Sequence, residues 1–412
     1  MSTLSIVPYF PFSRVRLTRQ SISDSADRAW LEAEPDRRYQ PVCSACGKPA
    51  SGVHGWVKRA IRDLNLGQTR VWIGCAFRKV YCASCQRTRV EDLEFFEPYR
   101  RVTKRLARYI HELCKMVTVK DAADHLGLNW KTVARPRSPT VKQIDKMFLE
   151  KTYGQTDYTN LEILAVDEIA IRKGHRYMTV VLDYLTGRVV WIGKNRQTET
   201  LLSFFNGMSP EQKQHLRAIA LDMWDPYIKG VQEAVPHVQI VFDLFHVVSA
   251  FNKVIDEVRN DEFLKASKKD KTVFKGTKYL LLKNRRNIRH RSEWQHLRQL
   301  LALNETISTV MILKDLLRQI WTYRSRGWAN RRIDEWCALA RTIDHPSIIR
   351  FANMLEHYRY GILNHCNFPI HTSKLEGVNN TIKVIKRNAY GFHDNRYFAL
   401  KVIQAFHPLN RR

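Results

Sequence analysis

The chain has 412 residues, enough for two or three domains, and 44% of them are hydrophobic, so a sizeable core can be buried. Its 68 Lys and Arg against 40 Asp and Glu give a formal charge of +28, which attracts polyanions and favours a nucleic-acid partner. No run reaches the ~18 apolar residues of a membrane span, and no basic helix with a clean apolar face marks a membrane surface. The opening MSTLSIVPYFPFSRVRL lacks the regions of a signal peptide, so a cytoplasmic protein without a membrane partner is expected.

Residues 1–40 carry Pro8, Pro11 and Pro35 and few periodic apolar positions, and an irregular segment is expected there. A cysteine-bearing module follows over residues 41–95. Four of the eight cysteines form two Cys-x-x-Cys pairs, Cys43 with Cys46 and Cys82 with Cys85. In a cytosolic chain such pairs suggest a metal site rather than a disulfide framework. Four thiolates satisfy tetrahedral zinc, and a two-residue spacer lets both sulfurs of a pair reach one ion. The zinc is expected to be structural. The 35 residues between the pairs require a small hairpin, with VWIGCAFRKVYC as one strand. His54 and Cys75 are the alternative candidates should one of the four cysteines not bind.

Residues 96–150 read as helical. Within TVKDAADHLGLNWKTVARP, Val119, Ala122, Ala123 and Leu126 make one helical face, Gly127 supplies a turn and Asn129 is placed to cap a second helix. This is the pattern of a helix-turn-helix whose second helix enters the major groove, presenting Trp130, Lys131 and Arg135 to DNA. Arg100, Arg101, Lys104, Arg105 and Arg108 add positive charge nearby.

From Leu161 the pattern changes to strands. ILAVDEIAI, YMTVVLDYL and RVVWIGK are rich in Val and Ile, and Thr186-Gly187 between the last two suggests an antiparallel hairpin. TETLLSFFNGM reads as a helix, AIALDMW and VQIVFD as strands, and residues 245–360 as almost wholly helical. Asp167 lies in the centre of an apolar strand, which costs several kcal/mol unless it is paired or binds a cation. Asp222 and Asp243 each end a strand, and such carboxylates can converge at one sheet edge. Glu168 faces the other way, and Asp183 reads as a hairpin-end residue.

Glu376 begins the last helix, where Asn380, Lys383 and Arg387 continue its stripe. Val378, Ile382 and Ile385 form the opposing apolar stripe, so the helix can bury one side on a sheet and turn Glu376 and the basic groups towards DNA. Shared carboxylates of this kind hold paired Mg²⁺ or Mn²⁺ for phosphoryl transfer. Residues 265–291 carry eleven Lys and Arg and one acid. There Phe274, Tyr279 and the nearby Trp294 are candidates for stacking on unpaired bases.

With these residues in place the chain resembles the ISL3-type insertion-sequence transposases over residues 40–408. The resemblance rests on the paired cysteines ahead of a helix-turn-helix, LAVDEIAIRKGHRYMTVVLD, LDMWDPYIKGVQEAVPHVQIVFDLFHVV and SKLEGVNNTIKVIKRNAYGFHDNRYFALKVI. It implies a multidomain α+β protein: a zinc-binding module, a helix-turn-helix, and a ribonuclease H-like α/β catalytic core over 151–250 and 361–412, interrupted by a helical insertion over 251–360. The family's Asp, Asp, Glu triad falls on Asp167, Asp222 and Glu376, choosing Asp222 over Asp243. Asp243 and His246 resemble an Asp-x-x-His signature and are expected to act as an auxiliary pair.

The expected activity is metal-dependent cleavage and strand transfer at the terminal inverted repeats of a mobile element. Double-stranded DNA is the partner, and a homo-oligomer forms on the paired ends. Two other readings remain at this stage: a non-catalytic DNA-binding regulator, and a structure-specific nuclease or resolvase.

Overall fold

The computed structural model describes residues 5–96, 101–130, 140–172, 176–370, 373–389 and 392–408. The chain forms two compact units, Met1–Gln155 with Arg387–His393, and Thr156–Lys386 with Asp394–Arg412.

The first unit is built on a five-stranded sheet. Strands β1 (Val15–Ile22) and β2 (Arg28–Pro35) are antiparallel, β2 runs parallel to β4 (Arg70–Cys82), and β4 pairs antiparallel with both β3 (Ser51–Arg62) and β5 (Arg87–Val90). The β3–β4 pair is the hairpin that the cysteine spacing requires. Along β4 the buried Val71, Ile73, Cys75 and Phe77 alternate with more open neighbours, as a half-buried strand demands.

The expectation of an irregular segment over residues 1–40 is corrected by β1 and β2. In β2 every second residue is buried, but those residues are Ala29, Leu31, Ala33 and Pro35, too small to give a strong apolar signal. Strand β1 buries only Val15, so its sequence shows no alternation. It forms because β2 offers it an unpaired edge.

Helices α1 (Lys104–Met116), α2 (Val119–Leu126) and α3 (Val141–Tyr153) complete the unit. Thr103, Thr118 and Thr140 each cap one helix through the side-chain oxygen. Gly127 ends α2 at φ +63°, a left-handed conformation that L side chains disfavour. Leu106, Ile110, Ala122, Ala123, Leu126 and Ile144 form the shared core.

The second unit contains a sheet of order β10-β9-β6-β7-β8. Strands β6 (Ile163–Arg172), β7 (Arg176–Asp183) and β8 (Arg188–Lys194) form an antiparallel meander. Asp183 closes the β7–β8 turn by accepting from the Leu185 amide and the Thr186 hydroxyl, and Gly187 adopts φ +71°. Strand β9 (Ala218–Leu221) lies parallel to β6, and β10 (Gln239–Phe242) parallel to β9.

Helices α4 (Thr198–Phe205) and α5 (Asp225–Ala234) contribute Phe204, Phe205 and Tyr227 to the core. The long helix α6 (Leu244–Lys265) begins immediately beyond β10. From there to residue 370 the described segments are helices and their connections. Phe251 of α6 packs 5.4 Å from Trp336 and 4.9 Å from Phe351, ring centre to ring centre, and one apolar core runs from the sheet through these helices. Helix α7 (Ser373–Asn388) follows, and the helix Asn395–Phe406 packs on β8. No described helix is long and apolar enough to cross a membrane.

Candidate catalytic site and zinc module

The first cysteine pair sits in the loop before β3; of the second, Cys82 ends β4 and Cys85 lies in the turn to β5. Gly47 at φ +69° lets the first loop fold back, with its amide bonded to the Cys43 carbonyl and the Cys43 amide to the Lys48 carbonyl. The ligand sulfurs of Cys43, Cys46, Cys82 and Cys85 all lie within 4.8 Å of one another. Cys43 and Cys85 approach to 4.0 Å and Cys46 and Cys82 to 3.5 Å. Zinc–thiolate bonds of about 2.3 Å require sulfurs about 3.8 Å apart at the corners of a tetrahedron, so the four residues fit a structural zinc. The Cys85 amide and the neighbouring thiols lower the Cys82 thiol, while hydrogen bonds from Cys46 and Cys82 raise the Cys85 thiol, so the four sulfurs share protons closely. Cys75 is buried in the sheet, where desolvation pushes it up to about 12. Among the described residues, neither Cys75 nor His54 joins the cluster.

In the helix-turn-helix region Ala122, Ala123 and Leu126 of the expected α2 face are buried and Val119 is partly so, while Trp130 beyond the Gly127 turn is exposed. Lys131 and Arg135 lie outside the described residues.

In the second unit the strand register creates the acidic edge. Ala165 pairs with Ala220, so Asp167 on β6 falls level with Asp222, the residue just past the end of the neighbouring parallel strand β9. Phe242 pairs with Leu221, which brings Asp243 level with Asp222. Asp167 accepts the Glu168 amide at 2.7 Å on Oδ1 and the Asn379 amide group at 2.6 Å on Oδ2. Burial raises its carboxyl above the usual carboxylate range, and the charge of Asp222 adds to this. The two donors and His246 act in the opposite direction. Asp222 accepts the Met223 amide at 2.7 Å, and His246 Nδ1 lies 3.4 Å from its Oδ2. Asp243 is buried at the start of α6.

The structure therefore brings Asp167, Asp222, Asp243 and His246 to one edge. Glu376 is exposed in the first turn of α7. Among the described residues no trio of carboxylates is gathered as tightly as the thiols. Asn380, Lys383 and Arg387 are also exposed, while Val378 and Ile382 are buried and Ile385 is partly so, giving the helix the two-sided character expected of it. Lys386 is held by the Ala170 carbonyl at 3.2 Å. In the basic run, Phe274 is fully buried and Trp294 donates to the Ile288 carbonyl. Of the three aromatic stacking candidates only Tyr279, 74% exposed, is open to a base.

Two features escaped the sequence reading. Glu168 is not a bystander: burial raises its carboxyl, and Arg196 holds it at 2.9 Å. Arg196 lies over both the Tyr177 and Trp224 rings, at 4.2 and 4.6 Å. No spacing signals that cluster, because its parts come from separate strands and loops. The second is Asn379, which did leave a signal. It falls four residues after Leu375 and three before Ile382, a polar side chain within an apolar stripe.

A pair of half-buried carboxylates, Asp222 beside His246 and Asp167 held by the Asn379 amide group, offers hard oxygen donors of the kind that hold a divalent cation. A cysteine-held zinc module, a helix-turn-helix and such an acidic edge in one basic chain define the class of DNA-processing recombination enzymes. The matches to known families agree. Residues 164–402 match the DDE domain of ISL3 transposases, residues 91–135 the helix-turn-helix domain of transposase family ISL3, and residues 39–85 the zinc-finger of transposase IS204/IS1001/IS1096/IS1165. The chain is 38% identical over 374 residues to the transposase for insertion sequence element IS1001 from Bordetella parapertussis, covering 90% of each chain. It is 23% identical over 378 residues to the transposase for insertion sequence element IS1557 from Mycobacterium tuberculosis, covering 85% of this chain and 82% of that one. The chain belongs to the ISL3 family of transposases.

Proposed function

We propose that the chain recognises the terminal inverted repeats of its insertion sequence through the zinc module and helix-turn-helix, and cuts and joins DNA with Asp167, Asp222 and Glu376. The observation that carries this reading is the parallel register of β6 and β9, which brings Asp167, and Asp222 just past the end of β9, to the same edge, where the charge of Asp222 acts on Asp167. Three antiparallel strands followed by two parallel ones, with the acids at their common edge, support a ribonuclease H-like core. The helices between β10 and α7 are then an insertion in it. Cytoplasmic residence and a homo-oligomer that pairs two element ends belong to the same reading.

Asp167 and Asp222 would hold Mg²⁺ or Mn²⁺, with Glu376 completing the set. When bound, such ions activate the attacking oxygen and neutralise the leaving one in an in-line displacement. His246 orients Asp222, and Asp243 backs it from the next strand. Asn380, Lys383 and Arg387, on the exposed side of α7, are placed to bind DNA phosphates. Trp130, Lys131 and Arg135 belong to the helix-turn-helix segment expected to read the major groove. In the first step water breaks the phosphodiester at the element end and frees a 3′-hydroxyl. In the second that hydroxyl displaces a target phosphodiester, so one bond forms as another breaks and no protein–DNA linkage arises.

Labelled end DNA incubated with the chain and Mg²⁺ tests this reading. Joined products are expected. Nicks without joining would make the protein a nuclease or resolvase, and binding without any product a regulator.

A further inference from the structure

Among the described residues, three polar contacts dock helix α7 on the sheet. Near its start Lys374 Nζ donates to the Tyr184 carbonyl at 3.1 Å and lies 4.6 Å from the centre of the Tyr184 ring. In its middle Asn379 Nδ2 donates to Asp167 Oδ2 at 2.6 Å. Near its end Lys386 Nζ donates to the Ala170 carbonyl. Tyr184 is bonded to Ile163 at the start of β6, so the three contacts climb β6 from its first residue to Ala170. The helix runs along the strand that carries Asp167, with Leu375, Val378 and Ile382 buried.

Asn379 differs from the two lysines. It touches a carboxylate of the acidic edge rather than a backbone carbonyl. Its Oδ1 is buried and has no hydrogen-bond partner among the described residues. Buried acceptors are nearly always satisfied, so an unsatisfied one beside a functional carboxylate calls for a missing group. An ionised carboxylate offers about four lone-pair sites. The Glu168 amide and Asn379 occupy one on each oxygen of Asp167, which fixes the carboxylate plane and leaves both oxygens further capacity. Glu376 precedes Asn379 by three residues, about 4.5 Å along the helix, so the two are neighbours on its surface.

We infer that Asn379 is a positioning residue of the metal site: its Nδ2 fixes the Asp167 carboxylate, and its contact sets the register in which α7 presents Glu376. The inference rests on the reading of Asp167 as a metal ligand. Hydrogen-bond partners of ligating carboxylates act in this way in general, and their loss weakens metal binding by about 10–100-fold.

The test is direct Mn²⁺ binding to the zinc-loaded full chain, followed by the paramagnetic resonance of the free ion. Asn379→Ala is expected to weaken binding by about 10–100-fold, with cleavage of end DNA recovered at high Mn²⁺. Alanine is the best helix former, so α7 itself is not put at risk. Lys386→Ala, which removes a docking contact away from Asp167, is expected to leave Mn²⁺ affinity within about twofold of the parent, well inside the 10–100-fold range. Unchanged affinity in Asn379→Ala would overturn the inference, and so would an equal loss in Lys386→Ala, which would reduce Asn379 to a docking contact. Asp167→Asn separates the two levels. If it abolishes Mn²⁺ binding while Asn379→Ala does not, only the Asn379 inference fails; if it binds normally, the metal-site reading fails as well.

Discussion

The four thiols of the zinc module lie within 4.8 Å of one another, whereas at the acidic edge Asp167 and Asp222 converge and Glu376 stays on the exposed side of its helix. The difference follows from how each group of ligands is delivered. Each cysteine pair occupies one tight turn, and a single hairpin joins the two turns. Their spacing therefore follows from short-range backbone geometry within one module. The acids come from two strands and a distant helix, and like charges gathered in a half-buried site repel one another unless a cation offsets them. Ligands carried on short-range turns converge within one module, while on the proposed reading the acidic set would be completed only when metal and DNA bind.

The comparison predicts different responses to substitution. The largest effect belongs to the zinc module. Metal binding and folding are coupled in such modules, with about 10–16 kcal/mol of apparent zinc affinity in peptide systems. Cys82→Ser is expected to abolish stoichiometric zinc and, with it, binding of end DNA, as read by metal content and a gel shift. Full zinc and full end binding in that variant would break the comparison at its first term.

Glu376→Gln comes next. If the helix carboxylate joins the pair when the site is complete, the variant loses several kcal/mol of charge stabilisation, about 10³-fold in cleavage rate, matching Asp222→Asn. A rate near that of the parent would make Glu376 a surface residue, as its exposure alone would suggest. His246→Ala removes a partner of Asp222 rather than a ligand, and a loss of about 10–100-fold in cleavage is expected with end binding intact. Gly47→Ala should have the smallest effect. An L side chain in the left-handed region costs about 1–2 kcal/mol, which a competition assay against a chelator reads as a modest drop in zinc affinity.

The same contrast explains what was legible in the sequence. Cys-x-x-Cys spacing and the β6–β8 meander are local patterns, and both were readable. So was Asp167, because a charge in the middle of an apolar strand stands out. The level placement of Asp222 depends on the parallel pairing of β6 with β9, which no window of sequence contains. β1 and β2 were missed because their buried residues are small or few, and they form through pairing with a neighbour. The Arg196 cluster was invisible for the same reason as the register. Asn379 was visible in principle, as a polar residue within the stripe of Leu375 and Ile382.

The central claim is that the acidic edge does the chemistry while the zinc module and helix-turn-helix bind the ends. Strand cleavage by Asp167→Asn in Mg²⁺, measured beside its affinity for end DNA, tests this most directly. The account predicts parent-like end binding with no cleavage and no joining. Cleavage at the parent rate in that variant would contradict it.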